Sequence, residues 1–145
     1  MQLPEYISKD EVKRICRELG LKDWSELKEP EVSADEAEKI LRIVKPADMD
    51  IPLEDFRVGL EVELEHGTQF ADANVTNNHP ILTGKIVLAH LYETMDYYKR
   101  LEVAEIEGDI LKALKAKNLA KVEALHRKLA KAKLELSEEE ARQLA

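Results

Sequence analysis

The chain has little of what marks several familiar protein classes. Its single cysteine, Cys16, rules out an intramolecular disulfide framework. Five glycines and five prolines among 145 residues leave few obligatory breaks, and no repeat or low-complexity tract appears. Only 5% of the residues are aromatic, and none interleaves the lysines of the basic stretch 112–133, which argues against nucleic-acid or membrane-surface binding there. No run of about eighteen apolar residues exists, which excludes a membrane-spanning helix of ordinary kind. The opening MQLPEYISKDE has neither a basic start nor an apolar centre, so no secretory signal is expected and a reducing cytoplasm is the expected compartment. Also missing are a Gly-rich phosphate loop, a Cys–His nucleophile pairing and a serine elbow. An enzyme is therefore the least supported reading.

What the chain does have is charge and helix formers. It is 36% charged and 44% hydrophobic, dominated by Glu, Lys, Leu and Ala. That composition predicts an all-α fold with a real core. The net charge of −8 argues against nucleic acid as a general partner.

Local signals divide the chain into a helical lead-in over 1–50, a central helical hairpin over 51–106 and a C-terminal helical extension over 107–145. Ser8 with Glu11 and Ser33 with Glu36 form Ser-x-x-Glu capping boxes, in which side chains satisfy free amides at a helix start. Val12, Ile15, Cys16 and Leu19 follow the first box, and Gly20 ends that pattern. Ala37, Ile40, Leu41 and Val44 follow the second, up to Pro46. Trp24, the only tryptophan, is expected to pin its segment to the core. After the linker 45–52, a helix is predicted over 53–66. Its stripe is Leu53, Phe56, Leu60 and Leu64, with Glu63 inside it and Glu54, Glu61 and Glu65 on the solvent side. Gly59, beside that stripe, suggests close approach of another backbone. Gly67 is expected to stop the helix.

A polar loop to Pro80 follows. Its Asp72, Asn74, Asn77 and Asn78 suit Asx turns that cap the next helix. A calcium site there is the sharper alternative, but the loop lacks the acid spacing of an EF-hand. Asn74-Val75-Thr76 matches a glycosylation acceptor, which has no meaning without a secretory route. The next helix is predicted over 81–106, with Leu82, Ile86, Ala89, His90, Glu93, Tyr97 and Leu101 on one face and Lys85, Tyr92, Asp96 and Lys99 exposed. Gly108 is read as a break before a helix over 109–133. That helix has a near-heptad seam including Asn118, and it is basic, with eight Lys or Arg against one Glu from Lys112 to Lys133. A homo-oligomer or a protein partner held through this C-terminal helix is the expected association. Ser137 with Glu140 suggests a short final helix. His79 and His126 have no partnered spacing and read as ordinary surface residues.

One pattern could carry chemistry. Glu63 and His66 are three residues apart on one predicted helix, and His90 and Glu93 are three apart on the next. Residues at that spacing project to the same side. Two such helices would place two carboxylates and two imidazoles in one layer, a set suited to one divalent ion, zinc or iron(II). Tyr97 could support the ligands by hydrogen bonding. The competing reading is a Glu–His network without metal, since a carboxylate left unpaired in a core costs several kcal/mol. Flush antiparallel helices would offset His66 from His90 by roughly 13 Å at 1.5 Å per residue. The second motif also runs His-x-x-Glu rather than Glu-x-x-His. Both points favour a single ion over a di-iron centre.

The strings GLEVELEHGT (59–68), NVTNNHPILTGKIVLAHL (74–91) and DYYKRL (96–101) resemble an uncharacterised family, a domain of unknown function found in phage, viral and microbial proteins. The resemblance covers about 54–105. That family commonly has two acids where this chain has Asn78 and His79. It implies a fold unit without a known activity. Its phage and viral members imply, as a second class of function, a structural or assembly role and a virion-associated location.

Overall fold

The computed structural model describes Pro4 and residues 6–145; the first residues of the predicted lead-in, 1–3 and 5, lie outside the described residues. Six α-helices carry the fold, and the described residues contain no strand. They are α1 (Lys9–Leu19), α2 (Ala34–Val44), α3 (Leu53–Gln69), α4 (Pro80–Glu93), α5 (Tyr97–Lys115) and α6 (Leu119–Leu144), with single 3-10 turns at Trp24–Glu26 and Ala71–Ala73. The chain divides into two compact units, Met1–Glu93 and Thr94–Ala145. No helix among the described residues is long and apolar enough to cross a membrane.

In the first unit both predicted serine caps form, but the box at α1 only by half, because the Glu11 carboxylate accepts from Arg14 instead. Ser8 Oγ accepts from the Glu11 amide. Ser33 and Glu36 form the full reciprocal box at the start of α2. Gly20 closes α1 in the left-handed region, with φ 63°. Trp24 is fully buried, together with Val12, Cys16, Ala37, Ile40, Phe56, Leu60, Leu64 and Val87. The helices α2, α3 and α4 pack on one another around these side chains. A Cβ on Gly84 would stand 2.6 Å from Ile40 Cγ2, so glycine there allows α4 to approach α2.

Several boundaries differ from the sequence reading. Gly67 does not stop α3, which continues to Gln69. Thr68 Oγ1 donates to the Leu64 and Glu65 carbonyls within that last turn. Gly67 instead makes room for a loop, since a Cβ there would lie 1.8 Å from Asn78 Oδ1. Glu61, expected on the solvent face, accepts from the Val32 amide at 3.0 Å and pairs with Arg57. The buried side of α4 is Thr83, Gly84, Val87, Leu88 and Leu91, whereas Ile86 and Ala89 of the predicted face are exposed.

The predicted helix over 81–106 is in fact two helices. It breaks at Thr94–Asp96, where the Tyr97 amide donates to the Thr94 carbonyl and Thr94 Oγ1 donates to Asp96 Oδ1. Asp96 was expected in the exposed strip. It is fully buried, and Arg100 grips both its oxygens at 2.8 and 2.7 Å. No glycine or proline marks this break; a local Thr-x-Asp turn makes it.

In the second unit α5 runs straight through Gly108, and nothing lies within 4 Å of a Cβ placed there. The reversal comes later, at Ala116–Asn118. Lys117 adopts φ 55°, and the Asn118 side chain accepts from the Lys121 amide to start α6. Asn118 is therefore a helix cap, not a seam position. Ser137 and Glu140 lie inside α6, so no separate final helix exists. The hairpin of α5 and α6 closes over a small core of Ile106, Ile110, Leu129 and Ala132, flanked by Val103 and Leu125.

Two glycines should respond oppositely to alanine. Gly84→Ala is expected to destabilise the first unit by about 1–3 kcal/mol through overpacking against Ile40. Gly108→Ala should stabilise the second unit by about 0.5–1 kcal/mol, because the position is helical and open. Urea unfolding checks both: the fluorescence of Trp24 reports the first unit, and circular dichroism reports both.

Candidate metal centre

The four residues singled out by spacing do not all converge. Glu63 sits on α3 beside the buried Leu60 and Leu64, and its side chain is only 12% exposed. His90 sits on α4 beside the buried Leu91, 29% exposed. Their side chains meet, with His90 Nε2 3.4 Å from Glu63 Oε1. The second carboxylate oxygen, Oε2, lies 4.0 Å from Nδ1 of the more exposed His66. One carboxylate thus stands between two imidazoles, one from its own helix and one from the next. Glu93 is exposed in the last turn of α4 and takes no part in the Glu63–His90 pair. Tyr97 belongs to the second unit. Among the described residues, no group of three or more His, Cys, Asp or Glu side chains is placed to hold a metal ion.

The axial offset expected for flush helices does not separate Glu63 from His90. Gly67 meets Asn78, Phe56 meets Gly84 and Glu63 meets His90. No flush register, parallel or antiparallel, satisfies all three contacts, so α3 and α4 cross at an angle. The crossing brings Glu63 to His90 and leaves the motif partners, His66 and Glu93, to follow their own helices.

Beside this cluster lies a cleft of about 140 Å3, lined by Glu63, His66, Gly67, Asn74, Thr76, Asn78, Thr83 and Ile86 among others. Its asparagines are already engaged. Asn74 Nδ2 donates to Asn78 Oδ1 at 3.1 Å and to the Gly67 carbonyl at 3.3 Å. Asn78 Nδ2 donates to the Trp24 carbonyl at 3.4 Å, and Asn77 Nδ2 to the Ile7 carbonyl at 2.6 Å. Asn77 and Asn78 both adopt positive φ, 49° and 61°. The loop is thus a knot of side-chain amides that ties α3, Trp24 and the chain before α1 together; these bonds reach other segments rather than cap α4 as the sequence reading expected.

His79 was read as an ordinary surface residue, and the structure corrects this. It is buried, and its Nδ1 accepts from the Ile81 and Leu82 amides at 3.2 and 3.4 Å, capping α4. The signal for it was Pro80: proline favours the first helical position, which places the preceding residue at the cap. Burial pushes the His79 imidazole below its ordinary value, against the pull of the Glu11 carboxylate. The cap needs a bare Nδ1, so the neutral ring is also the one the geometry uses. Glu36 shows the opposite balance. Burial would raise it, but donation from Ser33 and Trp24 and the Lys22 charge hold it below the usual carboxylate range.

The family described as a protein of unknown function (DUF5661) has a model that matches residues 12–107, so the match takes in α1 and α2 as well as the central helices. No curated protein and no solved structure matches.

The His79 cap gives the first unit a pH dependence whose sign follows from the lowered value. The neutral ring is favoured in the fold, so its contribution is full above the ordinary value of 6.5 and is lost as pH falls through the lower folded value. The urea midpoint read by Trp24 fluorescence should therefore fall as the pH drops below 6.5. His79→Asn keeps a cap acceptor without a titrating ring, and should show a smaller fall over that window. Equal slopes in the two chains would refute this role.

Proposed function

We propose that this chain, which belongs to that family, is a metal-binding helical module rather than an enzyme. It would take one divalent ion, zinc or iron(II), through Glu63, His66 and His90. The observation that carries this reading is the Glu63 carboxylate standing 3.4 and 4.0 Å from two imidazole nitrogens. Donor atoms around a tetrahedral zinc stand roughly 3.4 Å apart, so the Glu63–His90 pair already has a ligand-like spacing. His66 is 68% exposed on its side chain and can close the remaining gap by a rotamer change. Solvent at the cleft mouth supplies further oxygen ligands. Glu93, on the same side of α4 as His90, is the reserve carboxylate.

A purely structural pair is the competing reading. It is favoured by the exposure of Glu93 and by the lack of a three-residue ligand group among the described residues. In that reading Glu63 and His90 only fasten α3 to α4.

Elemental analysis and zinc titration of the untagged chain separate the two. The metal reading expects one equivalent bound by the natural sequence. Glu63→Gln and His90→Ala should each lose more affinity than the roughly 10–100-fold typical of supporting residues, and Glu93→Gln should lose less. If no metal binds while Glu63→Gln still lowers the urea midpoint, the structural pair stands instead.

A further inference from the structure

We propose that His79 is an acid-released latch: while its ring caps α4 it holds the loop 74–79 shut against α3, and protonation of the ring opens the cleft beside Glu63 and His66. The consequence for metal release rests on the metal-binding reading; the latch itself does not. His79 is only 8% exposed, and its Nδ1 accepts from the Ile81 and Leu82 amides at 3.2 and 3.4 Å. A proton on Nδ1 would face those two N–H groups donor to donor, so the protonated ring cannot stay at the cap. The same residue joins the loop to the cleft wall. Its amide donates to the Thr76 carbonyl at 3.0 Å, and its carbonyl accepts from the Thr83 amide and hydroxyl at 2.9 and 3.0 Å. Thr76, Asn78 and Thr83 all line the cleft, as do Glu63 and His66, the titratable groups that α3 brings to it.

The loop is held in a conformation that the cap helps to impose. Asn77 and Asn78 both sit in the left-handed region, at φ 49° and 61°, which a non-glycine residue keeps only when its surroundings require it. Asn78 Oδ1 occupies the space in which a Cβ of Gly67 would stand, so Asn78 is the residue that closes the loop onto α3. When the ring leaves the cap, the backbone is freed one residue after Asn78. The charges acting on the ring are both on α1: the Glu11 carboxylate favours a proton and the Arg14 guanidinium opposes it. These two are paired with each other at 2.8 Å, which blunts the pull of Glu11. The other helices packed on α4 meet it around Gly84 with apolar groups, Ile40 and Val44 of α2 and Phe56 of α3. Burial therefore outweighs attraction, and the ring stays neutral at its ordinary titration point.

Hydrogen exchange of the metal-free full chain tests the latch, followed amide by amide by NMR across a pH series spanning 6.5 and corrected for intrinsic exchange rates. The Asn78, Ile81 and Leu82 amides should lose protection as pH drops below 6.5, by up to about tenfold per pH unit, while the amides of α2 keep theirs. His79→Asn should remove this dependence; His66 and His90 are present in both chains, so the difference isolates His79. In the natural chain alone, the ring nitrogen shifts should show a bare Nδ1 above pH 6.5, and a proton found there overturns the latch whatever the variant does. Loss of protection shared by α2, which is unfolding of the whole unit, also overturns it, as does an equal dependence in His79→Asn. Zinc affinity over the same series reads the consequence: on acidification it should fall about tenfold further in the natural chain than in His79→Asn. An equal fall refutes the coupling to the metal site. If zinc binds neither chain at any pH, the metal-binding reading fails and the exchange data alone decide the latch.

Discussion

The Glu36 carboxylate is buried among four donors, and the first unit depends on that arrangement. One oxygen accepts from the Lys22 amide and from Trp24 Nε1, both at 3.2 Å; the other accepts from the Ser33 amide and hydroxyl at 3.1 and 3.0 Å. A buried charge is tolerable only when its lone pairs are met in this way. The same side chain therefore starts α2, turns the chain between α1 and α2, and orients the buried Trp24. The Trp24 carbonyl then receives Asn78, which also fills the space left by Gly67. From Glu36 the constraint passes through Trp24 and Asn78 to the loop that sets where α4 begins.

That loop decides the geometry of the candidate site. The His79 cap and the asparagine knot hold the start of α4 against the end of α3, while Gly84 lets α4 sit close to Ile40. Between these anchors α4 crosses α3 and carries His90 to Glu63. The carboxylate lies at the edge of the apolar stripe, where desolvation strengthens an interaction with an imidazole or a cation. His66 and Glu93 are more exposed because the stripe ends before each of them.

Much of this was legible in the residues. The Ser8 cap, the Ser33 box, Gly20, Pro46 and the Phe56–Leu60–Leu64 stripe are local signals, and the structure has each where the pattern places it. The glycine signals at 67 and 108 misled for a common reason. Glycine permits a break but does not require one, and in both places the backbone stays helical. Gly67 answers to Asn78 across space, and Gly108 faces nothing. The third serine box at Ser137 failed because α6 is already under way there, so its amides have partners four residues back. The break at Thr94–Asp96 was hidden because a buried aspartate held by Arg100 looks, in sequence, like any exposed helical Asp and Arg at i and i+4.

By itself the sequence determined the helical class, the caps and the placing of Glu63 and His90 on inward-facing sides, because each of these depends on residues within one or two turns. Only the tertiary structure decided that Glu63 meets His90, that Glu93 stands apart, and that His79 is a buried cap. Those outcomes depend on how helices cross, and the crossing is set by contacts such as Gly84 with Ile40 and Asn78 with Trp24, which join residues more than forty positions apart. No periodicity within a single helix records such a distance.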